Sequence, residues 1–180
     1  MSFALRIRVA TLLAALVFVP GAGGAVPACA DADLAASSGN LRRVRAAIVC
    51  LHNRVRAQHD LPPLREDKRL RDAALAHSRD MVTDGYFDHT TPEGVTTVDR
   101  ILRAKYAGRD DGWVLGENLG WGTGSLGMPR TAVEGWMRSP THRANLLKKA
   151  YRDIGVGVAL GVPASDAAGT TFTVDFGVRR

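Results

Sequence analysis

The chain is poor in several things that would name a chemistry. Its 180 residues hold two cysteines, and aromatic residues make up only 6%. It has no His-Glu-x-x-His and no Cys-x-x-Cys, so no metalloprotease helix or zinc ribbon is written in it. It has no Gly-x-Ser-x-Gly and no phosphate-binding loop, which removes the nucleophile elbow and the nucleotide cradle. No serine or cysteine stands in an activating context. Basic residues are scattered and not interleaved with aromatics, which argues against nucleic-acid recognition. Beyond the first 25 residues no segment is apolar enough to cross a bilayer.

What is present suits one packed domain. Apolar types make up 46% and charged types 23%. The formal net charge is +6, and it falls to +4 without Arg6 and Arg8. That mild excess reads as solubility with weak attraction to anionic surfaces.

Arg6 and Arg8 belong to an expected export signal, residues 1–25. They precede an apolar run from Val9 to Val19, and Pro20 with the small residues Gly21 to Ala25 offers a cleavage site. The expectation is a secreted protein, soluble outside the cytoplasm, with residues 26–39 as a flexible mature N-terminus. In an exported chain Cys29 and Cys50 favour a disulfide. Closing that loop contributes roughly 3 kcal/mol in the chain-entropy account. Val26-Pro27-Ala28-Cys29 is also a poor lipoprotein box, so a lipid on Cys29 is the rival, and a catalytic cysteine the third option.

Periodicity then orders the mature chain. Leu41, Val44, Ile48, Leu51 and Val55 recur at helical spacing, so 40–59 is an amphipathic helix that Ser38 or Asn40 can cap. Leu61-Pro62-Pro63-Leu64 is an extended connector. Further helices are expected at 67–83, where an alanine run implies close packing, and at 97–105, 129–138 and 141–147. Val114 to Trp121 reads as a strand. Ile154 to Leu160 and Phe172 to Val178 alternate with period two and form a hairpin. The expectation is a small antiparallel sheet with helices layered on both sides, a three-layer α/β fold.

Five histidines remain to be placed. His52 and His59 read as surface or partly buried residues of the first helix or its end. His77 reads as a packed helix residue bonded to a backbone carbonyl. His89 and His142 differ, because each sits at a loop or helix start with turn chemistry around it. Glu117, in the glycine-rich strand Leu115 to Trp121, must be paired, hydrogen-bonded or lining a cleft, since isolated burial is costly. Glu134 is a fourth candidate. By spacing alone these make no metal motif.

The ordered set of short motifs is more specific than any one of them. Leu51-His52-Asn53-Arg54, Leu61-Pro62-Pro63-Leu64, Ala76-His77-Ser78-Arg79, Phe87-Asp88-His89, Gly116-Glu117-Asn118, Trp136-Met137-Arg138-Ser139-Pro140-Thr141-His142-Arg143-Ala144-Asn145 and Ile154-Gly155-Val156-Gly157 occur in that order. Residues 48–178 resemble the CAP superfamily, also called SCP-like, in its bacterial exported form. The resemblance implies an α-β-α sandwich over 40–180. It also implies a cleft with two histidines and two acids. His89, Glu117 and His142 match three of the four. At the second acid's position stands Ser139, and Glu134 lies about 140° away round a helix.

The function implied is a secreted, monomeric binding module whose His/Glu cleft takes a divalent metal or a lipid, sterol, glycan or protein ligand, and no nucleic acid. The alternative is a metal-assisted hydrolase of peptide or cell-wall material. There His89 and His142 hold zinc and Glu117 activates the bound water, with Glu134 as a further candidate. In a third reading, Glu117 only buttresses the histidine loops.

Overall fold

The computed structural model describes residues 28–163 and 165–179, so the expected export signal at 1–25 lies outside the described residues. Chain order is helix α1 (Leu41–Ala57), strand β1 (Arg65–Glu66), α2 (Lys68–Thr83), α3 (Thr97–Arg103), β2 (Trp113–Thr123), a 3-10 turn (Gly124–Gly127), α4 (Pro129–Arg138), α5 (Pro140–Leu146), β3 (Asp153–Val162) and β4 (Ser165–Arg179). The strands form one sheet in the order β1-β3-β4-β2. The layered α/β architecture is the expected one, but the sheet is mixed rather than antiparallel. After the proline connector, Arg65 donates to the Arg152 carbonyl at 2.9 Å and Asp67 to the Ile154 carbonyl at 2.9 Å. The connector thereby adds a two-residue parallel strand to the edge of β3.

The alternation of β3 and β4 separates two unlike faces. Ile154, Val156, Val158, Phe172, Val174 and Phe176 pack with Ile48 of α1, Trp136 of α4 and Leu146 of α5 in one buried cluster. On the other face Gly155 and Gly157 let the α2 backbone touch the sheet. A Cβ at Gly155 would lie 2.1 Å from the Leu70 carbonyl carbon, and one at Gly157 2.2 Å from the Ala74 carbonyl oxygen. Ala74 is fully buried at this contact. Ser78 donates to Thr173 Oγ1 at 2.9 Å across this contact.

Local capping follows the sequence on α2 and α3 but not on α1. Asp67 caps α2, accepting from the Arg69 and Leu70 amides, and Thr96 with Asp99 forms a capping box on α3. Asn40 precedes α1 without capping it. Its side chain instead accepts from the Ser37 amide at 2.8 Å and donates to the Ala35 carbonyl at 2.9 Å.

That turn belongs to a stretch expected to be flexible. Its described part, 28–39, is held to the body. Cys29 is bridged to Cys50, which leaves no sulfur for a lipid. Ala32 is buried, its carbonyl accepts from the Arg130 amide at 2.8 Å, and Asp33 takes a bidentate bond from the Arg130 side chain at 2.7 and 2.8 Å. His52 also departs from its surface assignment. It is fully buried between Trp136 and Phe176, donates from Nδ1 to the Ile48 carbonyl, and burial pushes its pKa down to about 4. No described helix is long and apolar enough to cross a membrane.

Candidate functional site

The loop between α2 and α3 carries His89 and is clamped from below. His77 of α2, buried, donates from Nε2 to the Asp88 carbonyl at 3.0 Å, the backbone bond expected of it. Arg100 of α3 donates to the His89 carbonyl at 2.9 Å and to the Val95 carbonyl at 3.0 Å. Within the loop, Asp88 accepts from the Thr90 amide at 2.9 Å, and Gly94 turns the chain at a φ of +84°.

Glu117 projects from β2 toward this loop, with its side chain only 2% exposed. Its Oε1 accepts from His89 Nδ1 at 2.7 Å and from the Thr97 hydroxyl at 2.8 Å, and its Oε2 accepts from Arg100 at 2.8 Å. Burial alone would raise the carboxyl. The His89 bond and the Arg100 charge outweigh it and pull the pKa down to about 2. The Glu117 hydrogen bond in turn raises His89 above its ordinary value.

Asp175 stands directly opposite Glu117 in the β2–β4 ladder and is fully buried. Neither of its oxygens meets a donor among the described residues. Burial and the Glu117 charge push its pKa well up, which favours the neutral acid over the carboxylate.

His142 reaches the same end of the sheet from α5. Asn118, the residue after Glu117, donates to the His142 carbonyl at 3.0 Å, and Asn145 donates to the Glu117 carbonyl and to Asn118 Oδ1 at 3.0 Å each. Burial and the positive charge of His89 lower the His142 pKa.

Beyond His142 opens a groove of about 450 Å³ between β2 and α4, with Phe87, Trp121 and Leu126 on its walls and Ser139 beside His142. Glu134 is not part of it. Its half-exposed carboxylate lies 4.0 Å from Arg138 and lines a separate hollow against Leu51 and Val55 of α1. The helix phase that set it off the family direction is the reason.

The donor set does not make a zinc site. Both Glu117 oxygens are engaged by His89, Thr97 and Arg100, leaving two imidazoles where a catalytic zinc uses three protein ligands. Among the described residues no three His, Cys, Asp or Glu side chains come together as a metal-ligand group. Glu117 is also a poor proton acceptor at neutral pH, since its affinity for a proton is low.

Five residues of this network carried no functional role in the sequence reading: Thr97, Arg100, Asn118, Asn145 and Asp175. For Asp175 a signal existed. A carboxylate inside the alternating strand Phe172 to Val178 raises the same question as Glu117 in its strand. Arg100 gave none, because its partner lies 17 residues away in another element.

The family model of the cysteine-rich secretory protein family, CAP, matches residues 49–176. The chain belongs to the CAP family. Two Bacillus subtilis (strain 168) proteins are similar to this CAP domain: the membrane protein YlbC is 35% identical over 111 residues, covering 62% of this chain and 30% of its own length, and YkwD is 34% identical over 110 residues, covering 61% and 40%. The chain thus matches less than half the length of these curated relatives. Among solved structures, an extracellular SCP-domain protein from Bacillus anthracis str. Ames superposes with a TM-score of 0.61 at 30% identity, covering 81% of this chain and 44% of the other. An outer surface protein of Borrelia burgdorferi shares the fold with a TM-score of 0.64 at 21% identity, covering 81% and 96%.

Proposed function

We propose that this CAP domain is an extracellular binding module whose ligand lies in the groove between β2 and α4. One observation carries the reading. Four large apolar side chains are exposed among the described residues, and three of them, Phe87, Trp121 and Leu126, line this groove. Scattered exposed apolar residues need no explanation, but a cluster in a concave site does. The His89–Glu117–Arg100 array supports binding rather than turnover. Its hydrogen bonds fix the loop that presents Phe87, and its carboxylate is held ionised with both oxygens in use.

The extracellular placement rests on the export-type N-terminus, on the Cys29–Cys50 bridge, which persists in oxidising compartments, and on the likeness to the B. anthracis protein described as extracellular. The test is two-dimensional NMR of the oxidised domain against a library of apolar, sugar and peptide fragments. Fragment-induced shifts are expected to cluster on the Trp121 indole and on His142, and to vanish in Trp121→Ala. Shifts that cluster elsewhere, or that survive in Trp121→Ala, overturn the reading.

A further inference from the structure

β2 is an edge strand, and its outer edge is closed along only part of its length. In the antiparallel ladder, alternate residues of β2 turn their backbone groups away from β4. Three such carbonyls are satisfied by side chains. Leu115 accepts from the Tyr151 hydroxyl at 3.1 Å, Glu117 from Asn145 at 3.0 Å and Leu119 from the Trp136 indole at 2.7 Å. The next residue of the same parity is Trp121. Its backbone N–H and C=O have no partner among the described residues, and its side chain is 50% exposed. The closure therefore stops where the groove begins, since Leu119, Gly120 and Trp121 form the groove's β2 side.

An open strand edge beside an apolar hollow is the geometry of strand addition, in which main-chain bonds supply affinity and a pocket selects alternate side chains. The charge of the hollow narrows the occupant. Its ionisable side chains are Arg138 and His142, with no carboxylate in the wall. Arg138 has Glu134 at 4.0 Å, an exposed pair that holds it weakly. His142 is lowered in pKa and so is a neutral hydrogen-bonding group at neutral pH, which leaves Arg138 as the cation.

We propose that the groove's ligand is an extended peptide segment carrying an acidic side chain, which pairs with the β2 edge at Trp121, seats an apolar residue between Phe87, Trp121 and Leu126, and places its carboxylate against Arg138. This rests on the groove being the binding site. A sugar stacked on Trp121 would use the same aromatic face and leave the strand edge unpaired.

The experiment uses the oxidised domain and pools of acetylated, amidated five-residue peptides that alternate glutamate with apolar residues. Three comparisons decide it. Alternate backbone N-methylation, which removes the donors that face β2, is expected to weaken binding about tenfold or more. Arg138→Glu is expected to weaken the glutamate pool and improve a lysine pool of the same pattern. The Trp121 amide is expected to exchange more slowly in the complex. Equal binding by the N-methylated pool, no effect of Arg138→Glu, or unchanged Trp121 exchange overturns the proposal. If N-acetylchitotetraose shifts Trp121 and His142 while the peptide pools do not, the strand-addition proposal fails and the groove reading stands. If neither probe shifts these residues, both fail.

Discussion

The two faces of the sheet are equally buried and are built from opposite chemistry. Toward α1, α4 and α5, β4 presents Phe172, Val174 and Phe176, all fully buried. Toward α2 and α3 it presents Thr171, Thr173, Asp175 and Gly177, and the first three are fully buried as well. The first face is held by apolar area and aromatic contact, such as Phe176 stacked on Tyr151 with ring centroids 5.3 Å apart. The second is held by backbone approach at Gly155 and Gly157 and by polar contacts such as the bond from Ser78 to Thr173. The lesson is a division of labour within single strands. One parity of residues builds the apolar core, and the other carries Glu117 and Asp175 and holds the loop bearing His89.

The sharpest way to break this contrast is to remove one anchor from each face. Phe176→Ala is expected to cost about 3–5 kcal/mol through lost transfer energy and a cavity. Arg100→Ala is expected to cost about as much for a different reason, because it leaves the buried Glu117 charge without its guanidinium partner. Chemical denaturation separates the two. Adding Glu117→Gln should recover much of the Arg100→Ala loss and none of the Phe176→Ala loss. A double variant as unstable as Arg100→Ala alone would show that the polar face is not organised around that charge.

A smaller effect is expected at the bridge that ties the N-terminal stretch to the apolar face. Replacing Cys29 and Cys50 with serine should lower stability by roughly 3 kcal/mol, mostly by loosening the unfolded chain. Thermal melts with and without reductant should show the same loss in the wild type and none in the variant.

The last prediction sharpens the contrast instead of breaking it. Asp175 has a raised pKa in the folded state, so its contribution is fully present below the ordinary value of 3.8 and is lost as pH rises toward the folded value. Asp175→Asn keeps the shape and removes that dependence. The variant should match the wild type near pH 4 and melt progressively higher than it as the pH rises to 8. A gap that shrinks with rising pH would mean that Asp175 is ionised in the fold.

Much of the architecture was legible in the sequence because it repeats. α1 and α2 announced themselves by apolar spacing, α4 began at Pro129 as expected, and the hairpin showed its period of two. β4 was seen only from Phe172, because Ser165 to Thr171 are small residues that carry no apolar beat, although Ser165, Thr170 and Thr171 pair with β3 and Gly169 pairs with β2. β1 was invisible, being two residues long and defined by its partner rather than by its own composition. The candidate cleft was half legible. His89, Glu117 and His142 stood out by context and by family resemblance, whereas Glu134 was misplaced by helix phase and Arg100 gave no local signal. Pairings between distant elements leave no periodic trace.

Glu117 and Asn118 are consecutive residues whose side chains leave β2 on opposite sides. Glu117 fastens the His89 loop, and Asn118 fastens the start of α5 and His142. The pleat of one strand therefore acts as a ruler between the two histidines, and neither loop sets their spacing. Lengthening a loop elsewhere leaves the measure intact. A slip of one residue in the β2 register would exchange the two attachments and undo both at once.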